Sequence, residues 1–319
     1  MSELLLKIDK LNTRIFSDGS VVNAVCDFDL ELKRKEILTI IGESGCGKTM
    51  SVLSITNILP QSAKIVSGEI KFDDRDIKFD SERELQKIRG CQISYIFQDP
   101  VSSLNPLFTI GEQIKEVYQT HTDLSNAESK SAVLEVLELV NLKPAQNYYS
   151  YFPHQLSGGM NQRAMIAMAI ASKPKLIIAD EPTSSLDRIT ELKILGLLKE
   201  LNDKINVSII LITHNISIIE NFSDSVAIMY AGRIVEKAAK DDIFKNPKHP
   251  YTKALLDCRP KINEDKEFLN SIVGNVPDLS KLPSGCKFHP RCPFVMDICK
   301  EKEPEFKEFS NHQISKCYL

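Results

Sequence analysis

The stretch GESGCGKT occupies residues 42–49 and has the form G-x-x-x-x-G-K-[ST]. That spacing suits a loop that holds phosphate. Gly42, Gly45 and Gly47 let backbone N–H groups converge on phosphate oxygens, with Glu43, Ser44 and Cys46 between them. A helix starting after the loop adds its dipole. Lys48 can reach the β- and γ-phosphates, and Thr49 can ligate Mg²⁺. A glycine-rich turn before a helix is the plain alternative, but here both the preceding strand and the following helical pattern are in place.

LIIADEP (176–182) supplies acidic groups. Its apolar residues form a buried strand, and Asp180 emerges at the carboxyl end, where open α/β sheets bind ligands. Asp180 is expected to hold Mg²⁺ mostly through water, and Glu181 to act as base or to position water for attack on the γ-phosphate. QLSGGMNQR (155–163) sets Ser157, Gly158 and Gly159 just before a helix, a second anion-binding helix start. Two such starts in one chain suggest two chains sandwiching nucleotides between them. Gln98 in YIFQDP and His214 in LITHN each stand at a strand end. A lone Gln or His is usually structural; the order and spacing of the motifs give these two weight.

Cys286, Cys292, Cys299 and Cys317 fall near the end of a chain with eight cysteines. Without a secretory signal or a membrane-spanning run the chain is expected in a reducing compartment, where such a group reads as a metal site rather than as disulfides. Four thiolates suit zinc or an iron–sulfur cluster. Every gap is wider than the usual zinc pair, and Pro290 and Pro293 flank the ligands, which leans towards a cluster. His289 and His312 are alternative zinc ligands, and four unliganded cysteines are the bland reading. Cys26, Cys46, Cys91 and Cys258 have no partner spacing and are expected to be small buried hydrophobes, with Cys46 exposed in the loop and open to thiol modifiers.

Positioning these groups requires strands alternating with helices. ILTIIG (37–42), KLIIAD (175–180) and VSIILIT (207–213) are continuous apolar runs, the pattern of strands buried on both faces. Helical patterns cover 129–142 and 161–172, the latter stopping before Pro174. The expected fold is an α/β core with a mostly parallel sheet, and residues 100–172 form a helical insertion. After Tyr251 the periodicity weakens and prolines accumulate.

With 42% hydrophobic and 26% charged residues among 319, the chain reads as soluble and globular. Its net charge of −3 leaves no electrostatic footprint for nucleic acid. No apolar run approaches the ~18 residues that span a bilayer, and the start MSELLLKIDKLNTRIF lacks the build of a secretory signal, so a cytosolic chain is expected.

Taken together, the motifs resemble those of the nucleotide-binding subunits of ABC transporters. GESGCGKT resembles the Walker A loop, Gln98 the Q-loop, LSGGM the signature motif, LIIADE Walker B, SSLD (184–187, with Ser185 and Asp187) the D-loop, and His214 the switch histidine. Met160 stands where many members have Gln, and Asn215 where many have Asp. The resemblance implies a P-loop (RecA-like) core, with Mg²⁺ held by Thr49, Gln98 and Asp180 and ATP hydrolysed at a head-to-tail dimer interface. Ser157 and Gly159 complete the partner's site there, and Phe16 is the candidate for stacking on adenine.

IFQDPVSSLNPLFTIGEQI (96–114), KHPYTKALL (248–256) and the cysteine tail resemble the oligopeptide/dipeptide importer branch. That implies a nucleotide-binding domain over 1–250 and a tail over 251–319. The ATPase would sit on the cytoplasmic face of the membrane, paired with a second, related ATPase as a heterodimer. Two permeases and an extracellular binding protein complete the assembly, which takes up di- or oligopeptides, and the tail carries a 4Fe–4S cluster at its four cysteines, with Zn²⁺ as the alternative. Nickel or another small solute is the alternative cargo. A soluble ABC ATPase acting on DNA or ribosomes, and a degenerate regulatory subunit, are further readings. The tail lies outside the ATP motifs and is expected to play no part in hydrolysis.

Overall fold

The computed structural model describes residues 3–17, 19–79, 81–258, 272–309 and 312–319. These divide into two compact units.

The first unit comprises Met1–Lys33, Ile37–Ile77 and Ile212–Leu319. It contains an antiparallel sheet in which strand Leu4–Ser17 lies between Ser20–Lys33 and Ala63–Phe72, with the short Arg75–Asp76 at the edge. This antiparallel sheet is an addition to the expected mostly parallel one. Its long strands are bulged, with Lys10 and Asp27 at positive φ, so the inside–outside alternation slips along each strand and hides the period of two in the sequence. The parallel element is strand Ile37–Ile41, all five residues buried, paired with Ser225–Tyr230. Arg233–Ala239 then turns back antiparallel, and the tail adds Ile314–Ser315 and Lys307–Glu308 beyond it.

The tail therefore contributes strands to the first unit and shares its core. Tyr230, Tyr251 and Phe288 pack with ring centroids 4.6, 5.2 and 5.3 Å apart. Glu236, fully buried, accepts hydrogen bonds from the backbone N–H groups of Lys248 and His249, each at 2.8 Å, and from Gln313 Nε2 at 2.7 Å. That carboxylate ties strand Arg233–Ala239 to the start of helix Pro250–Asp257 and to the chain end.

The second unit, Arg34–Glu36 and Lys78–Leu211, holds the parallel pair Ile93–Ile96 and Leu176–Asp180, with most of Ser208–Ile212 beside the latter. Between the first two strands come helices Ile110–His121, Asn126–Leu139, Ala145–Tyr149 and Gly158–Ala171. The helix expected over 129–142 starts earlier, at Asn126, because Ser125 and Glu128 form a capping box there. Helix Arg188–Ile205 follows the Leu176–Asp180 strand.

Candidate nucleotide site and cysteine pocket

The phosphate loop leaves the buried strand Ile37–Ile41 and runs into helix Lys48–Ile55. Gly47 precedes that helix at φ 104 and ψ 6, a conformation that residues with a Cβ rarely adopt. A Cβ there would also stand 2.2 Å from the carbonyl oxygen of Ala24. One on Gly42 would meet the Met229 carbonyl oxygen at 2.2 Å. The Lys48 side chain is buried, and its ammonium donates to the carbonyl oxygens of Gly42 at 2.9 Å and Glu43 at 3.0 Å. Ser44, Gly45 and Thr49 are exposed.

Cys46 differs from the expectation of an exposed thiol. It is 0% exposed, its sulfur packs against Gly42, and burial pushes the thiol pKa up. Ser44 and Gly45 form the outer face of the loop, while the Cys46 side chain packs inward. Cys26 is buried as expected, whereas Cys91 and Cys258 are only half-buried.

His214 is exposed in the same unit, just past strand Ser208–Ile212. Asn215 caps helix Ile216–Phe222 by accepting from the Ser217 N–H at 3.1 Å, a role that Asp or Asn fills equally well. Phe16 is 43% exposed near the end of its strand.

In the second unit Asp180 ends strand Leu176–Asp180, and Glu181 follows at φ 45. Holding a non-glycine residue there costs about 1–3 kcal/mol, a kind of strain that clusters at functional sites. The Glu181 carboxylate accepts a hydrogen bond from Gln98 Nε2 at 3.3 Å, so residues 83 apart in sequence meet. Ser157 caps helix Gly158–Ala171, its hydroxyl accepting from the Met160 N–H at 3.4 Å. A Cβ on Gly159 would lie 2.6 Å from Thr190 Cγ2, so this helix start packs closely on the start of Arg188–Ile205. Asp187 caps the latter helix. Hydrogen bonds from Thr190, and then Ile189, hold its carboxyl below the usual carboxylate range. Ser185 and Gly158 are exposed.

Cys286, Cys292, Cys299 and Cys317, all half-buried, line one pocket together with His289. Burial pushes the Cys286 thiol up to about 11, and the other three thiols add to the rise. His312 is exposed beside Glu308 at 3.6 Å and does not line this pocket. Among the described residues no group of three or more His, Cys, Asp or Glu side chains is arranged to hold a metal ion.

Two residues that the sequence did not single out touch the phosphate loop. The Glu43 N–H donates to Tyr251 Oη at 3.1 Å, and Arg291 donates to both Glu43 carboxylate oxygens at 2.7 and 3.0 Å. Tyr251 lies within KHPYTKALL, a stretch notable only as a family marker; Arg291 sits between two of the cysteines. The tail is therefore not separate from the ATP motifs.

Comparison with known proteins decides the family. Residues 25–184 match the ABC transporter model, and residues 235–299 match the model of the oligopeptide/dipeptide transporter C-terminal region. The chain is 42% identical over 316 residues to the oligopeptide transport ATP-binding protein AppD of Bacillus subtilis, covering 99% of this chain and 96% of that protein. It belongs to the ATP-binding subunits of the ABC transporter family, oligopeptide/dipeptide branch. Other members are the Escherichia coli dipeptide transport ATP-binding protein DppD, 38% identical over 98% of this chain and 96% of that one, and OppD, 40% identical over 99% and 94%. The dimeric ABC cassette MJ0796, in a post-hydrolysis state with ADP and Pi, matches with a TM-score of 0.66 and 29% identity, covering 74% of this chain and 99% of that one. The cassette cbiO1 of Clostridium perfringens matches at 0.67 and 28%, over 77% and 92%. This subunit is thus an ABC ATPase with a P-loop core. Among its described residues no helix is long and apolar enough to cross a membrane.

Proposed function

We propose that this subunit uses ATP binding and hydrolysis to drive uptake of di- and oligopeptides from the cytoplasmic face of the membrane, paired with a second ATPase beneath two permeases. The match of residues 235–299 to the oligopeptide/dipeptide transporter C-terminal region carries this reading. The residue roles follow from chemistry. The loop 42–49 binds the phosphates, with Lys48 on the β- and γ-phosphates. Glu181, oriented by Gln98 at 3.3 Å, takes the proton from the attacking water. His214, exposed at its strand end, contacts the γ-phosphate. Ser157, Gly158 and Gly159 present a capped helix start to the nucleotide held by the partner ATPase, and Ser185 and Asp187 lie at the same junction. Phe16 offers an exposed ring to adenine. The hydroxyl, amide and carboxylate oxygens of Thr49, Gln98 and Asp180 suit a hard cation such as Mg²⁺, which would neutralise developing charge on the phosphates.

For the tail the same reading assigns a 4Fe–4S cluster to Cys286, Cys292, Cys299 and Cys317. Their thiols line one pocket, and thiolate is the ligand such clusters take. The wide gaps between the cysteines and the prolines beside them favour a cluster over a zinc ion. Residues 1–250 act as the nucleotide-binding domain, with 100–172 as its helical part, and 251–319 as the tail. Purification from membranes tests the reading: permeases should co-purify, whereas co-purifying nucleic acid would contradict it. Anaerobically prepared protein should absorb near about 400 nm; a colourless protein containing zinc would contradict the cluster.

A further inference from the structure

An acidic side chain in a loop built for polyphosphate works against its ligand, because like charges repel. Glu43 is the second residue of GESGCGKT, and its carboxylate is held aside. Arg291 forms a two-pronged bond to both oxygens, at 2.7 and 3.0 Å, across 248 residues of sequence. The Arg291 side chain is 4% exposed and that of Glu43 25%. Arg291 is itself fixed. Its Nε donates to the Val273 carbonyl at 2.9 Å, and its guanidinium lies 5.9 Å from the centre of the Tyr230 ring. The Glu43 backbone is held separately, through the Tyr251 hydroxyl at 3.1 Å. Its carbonyl oxygen accepts from Lys48 at 3.0 Å, so the position of Glu43 bears directly on the lysine that meets the phosphates.

We propose that Arg291 is a positioning residue for the ATP site, neutralising Glu43 and drawing its carboxylate out of the path of the phosphates. The bidentate geometry is one that arginine provides and lysine does not. Because Arg291 closes the short turn His289–Arg291 directly before Cys292, the cysteine tail becomes part of the frame of the phosphate loop. The proposal rests on the ATP-binding role of the loop and is independent of any metal in the tail.

The test is a charge-rescue cycle on the full-length chain, read by titration with a fluorescent ATP analogue and by steady-state hydrolysis. Arg291→Met should weaken analogue binding about tenfold, with KM rising more than kcat falls. Adding Glu43→Gln to Arg291→Met should restore affinity to within about threefold of the parent, because the repelling charge is gone. A purely structural role for Arg291 predicts no rescue. Affinity unchanged in Arg291→Met, or a double variant as weak as Arg291→Met, would overturn the proposal. If Arg291→Met does not fold, Arg291→Lys with and without Glu43→Gln carries the same cycle: a smaller loss with rescue supports the proposal, and no loss or no rescue overturns it. Parent protein that fails to bind the analogue would instead refute the ATP-binding role itself.

Discussion

Two glycines two residues apart, Gly45 and Gly47, give a quantitative test of how the phosphate loop is built. Both lie at positive φ, 77° and 104°, so alanine at either position carries backbone strain of about 1–2 kcal/mol. Their surroundings differ sharply. A Cβ on Gly45 meets nothing within 4 Å, whereas one on Gly47 would stand 2.2 Å from the carbonyl oxygen of Ala24. Ala24 is buried in strand Ser20–Lys33, so relief requires the loop or the strand to move by about an ångström. Overpacking of that kind adds about 1–3 kcal/mol. Gly45→Ala should thus cost about 1–2 kcal/mol and Gly47→Ala about 2–5 kcal/mol. Urea unfolding of the full-length chain measures both, with far-ultraviolet circular dichroism as the signal. Equal losses for the two variants would refute the claim that close approach of the second strand, rather than φ alone, demands glycine at 47.

Further outcomes are expected elsewhere. Glu181→Gln should retain ATP binding but lower hydrolysis by about 10²–10⁴-fold; hydrolysis at the parent rate would remove Glu181 from its role. Glu236→Ala removes the acceptor of the Lys248 and His249 N–H groups, while Gln313 Nε2 keeps the Asn246 carbonyl, and should destabilise the first unit by about 2–5 kcal/mol; a loss under 1 kcal/mol in a denaturation titration would show the network to be unimportant. Cys46, buried and with its thiol pushed up, should resist iodoacetamide in the native chain and react only after unfolding, as peptide mass mapping would reveal; rapid native labelling would contradict its burial.

Much of the site was legible because its chemistry is local. The phosphate loop, Asp180–Glu181 and the capped start at Ser157 each declare themselves within a few residues, since backbone donors and strand-end carboxylates need fixed short spacing. The buried strands were legible for the same reason: ILTII and LIIA are apolar on both faces. What escaped depends on distance or on irregularity. The antiparallel sheet was hidden by bulges that break its alternation. The inward turn of Cys46 depends on packing beneath a loop whose glycines suggest exposure. Arg291 and Glu43, 248 residues apart, share no periodicity that could pair them, and the aromatic core of Tyr230, Tyr251 and Phe288 comes together only in the fold.

The proposed function requires ATP hydrolysis to be coupled to peptide movement. The most direct measurement reconstitutes the subunit with the proposed partner ATPase, permeases and binding protein in liposomes, and follows ATP hydrolysis and uptake of a labelled peptide together. Peptide-loaded binding protein should stimulate hydrolysis and uptake in parallel, and Glu181→Gln should abolish both. Hydrolysis indifferent to peptide, or uptake that persists in the Glu181→Gln assembly, would contradict the account.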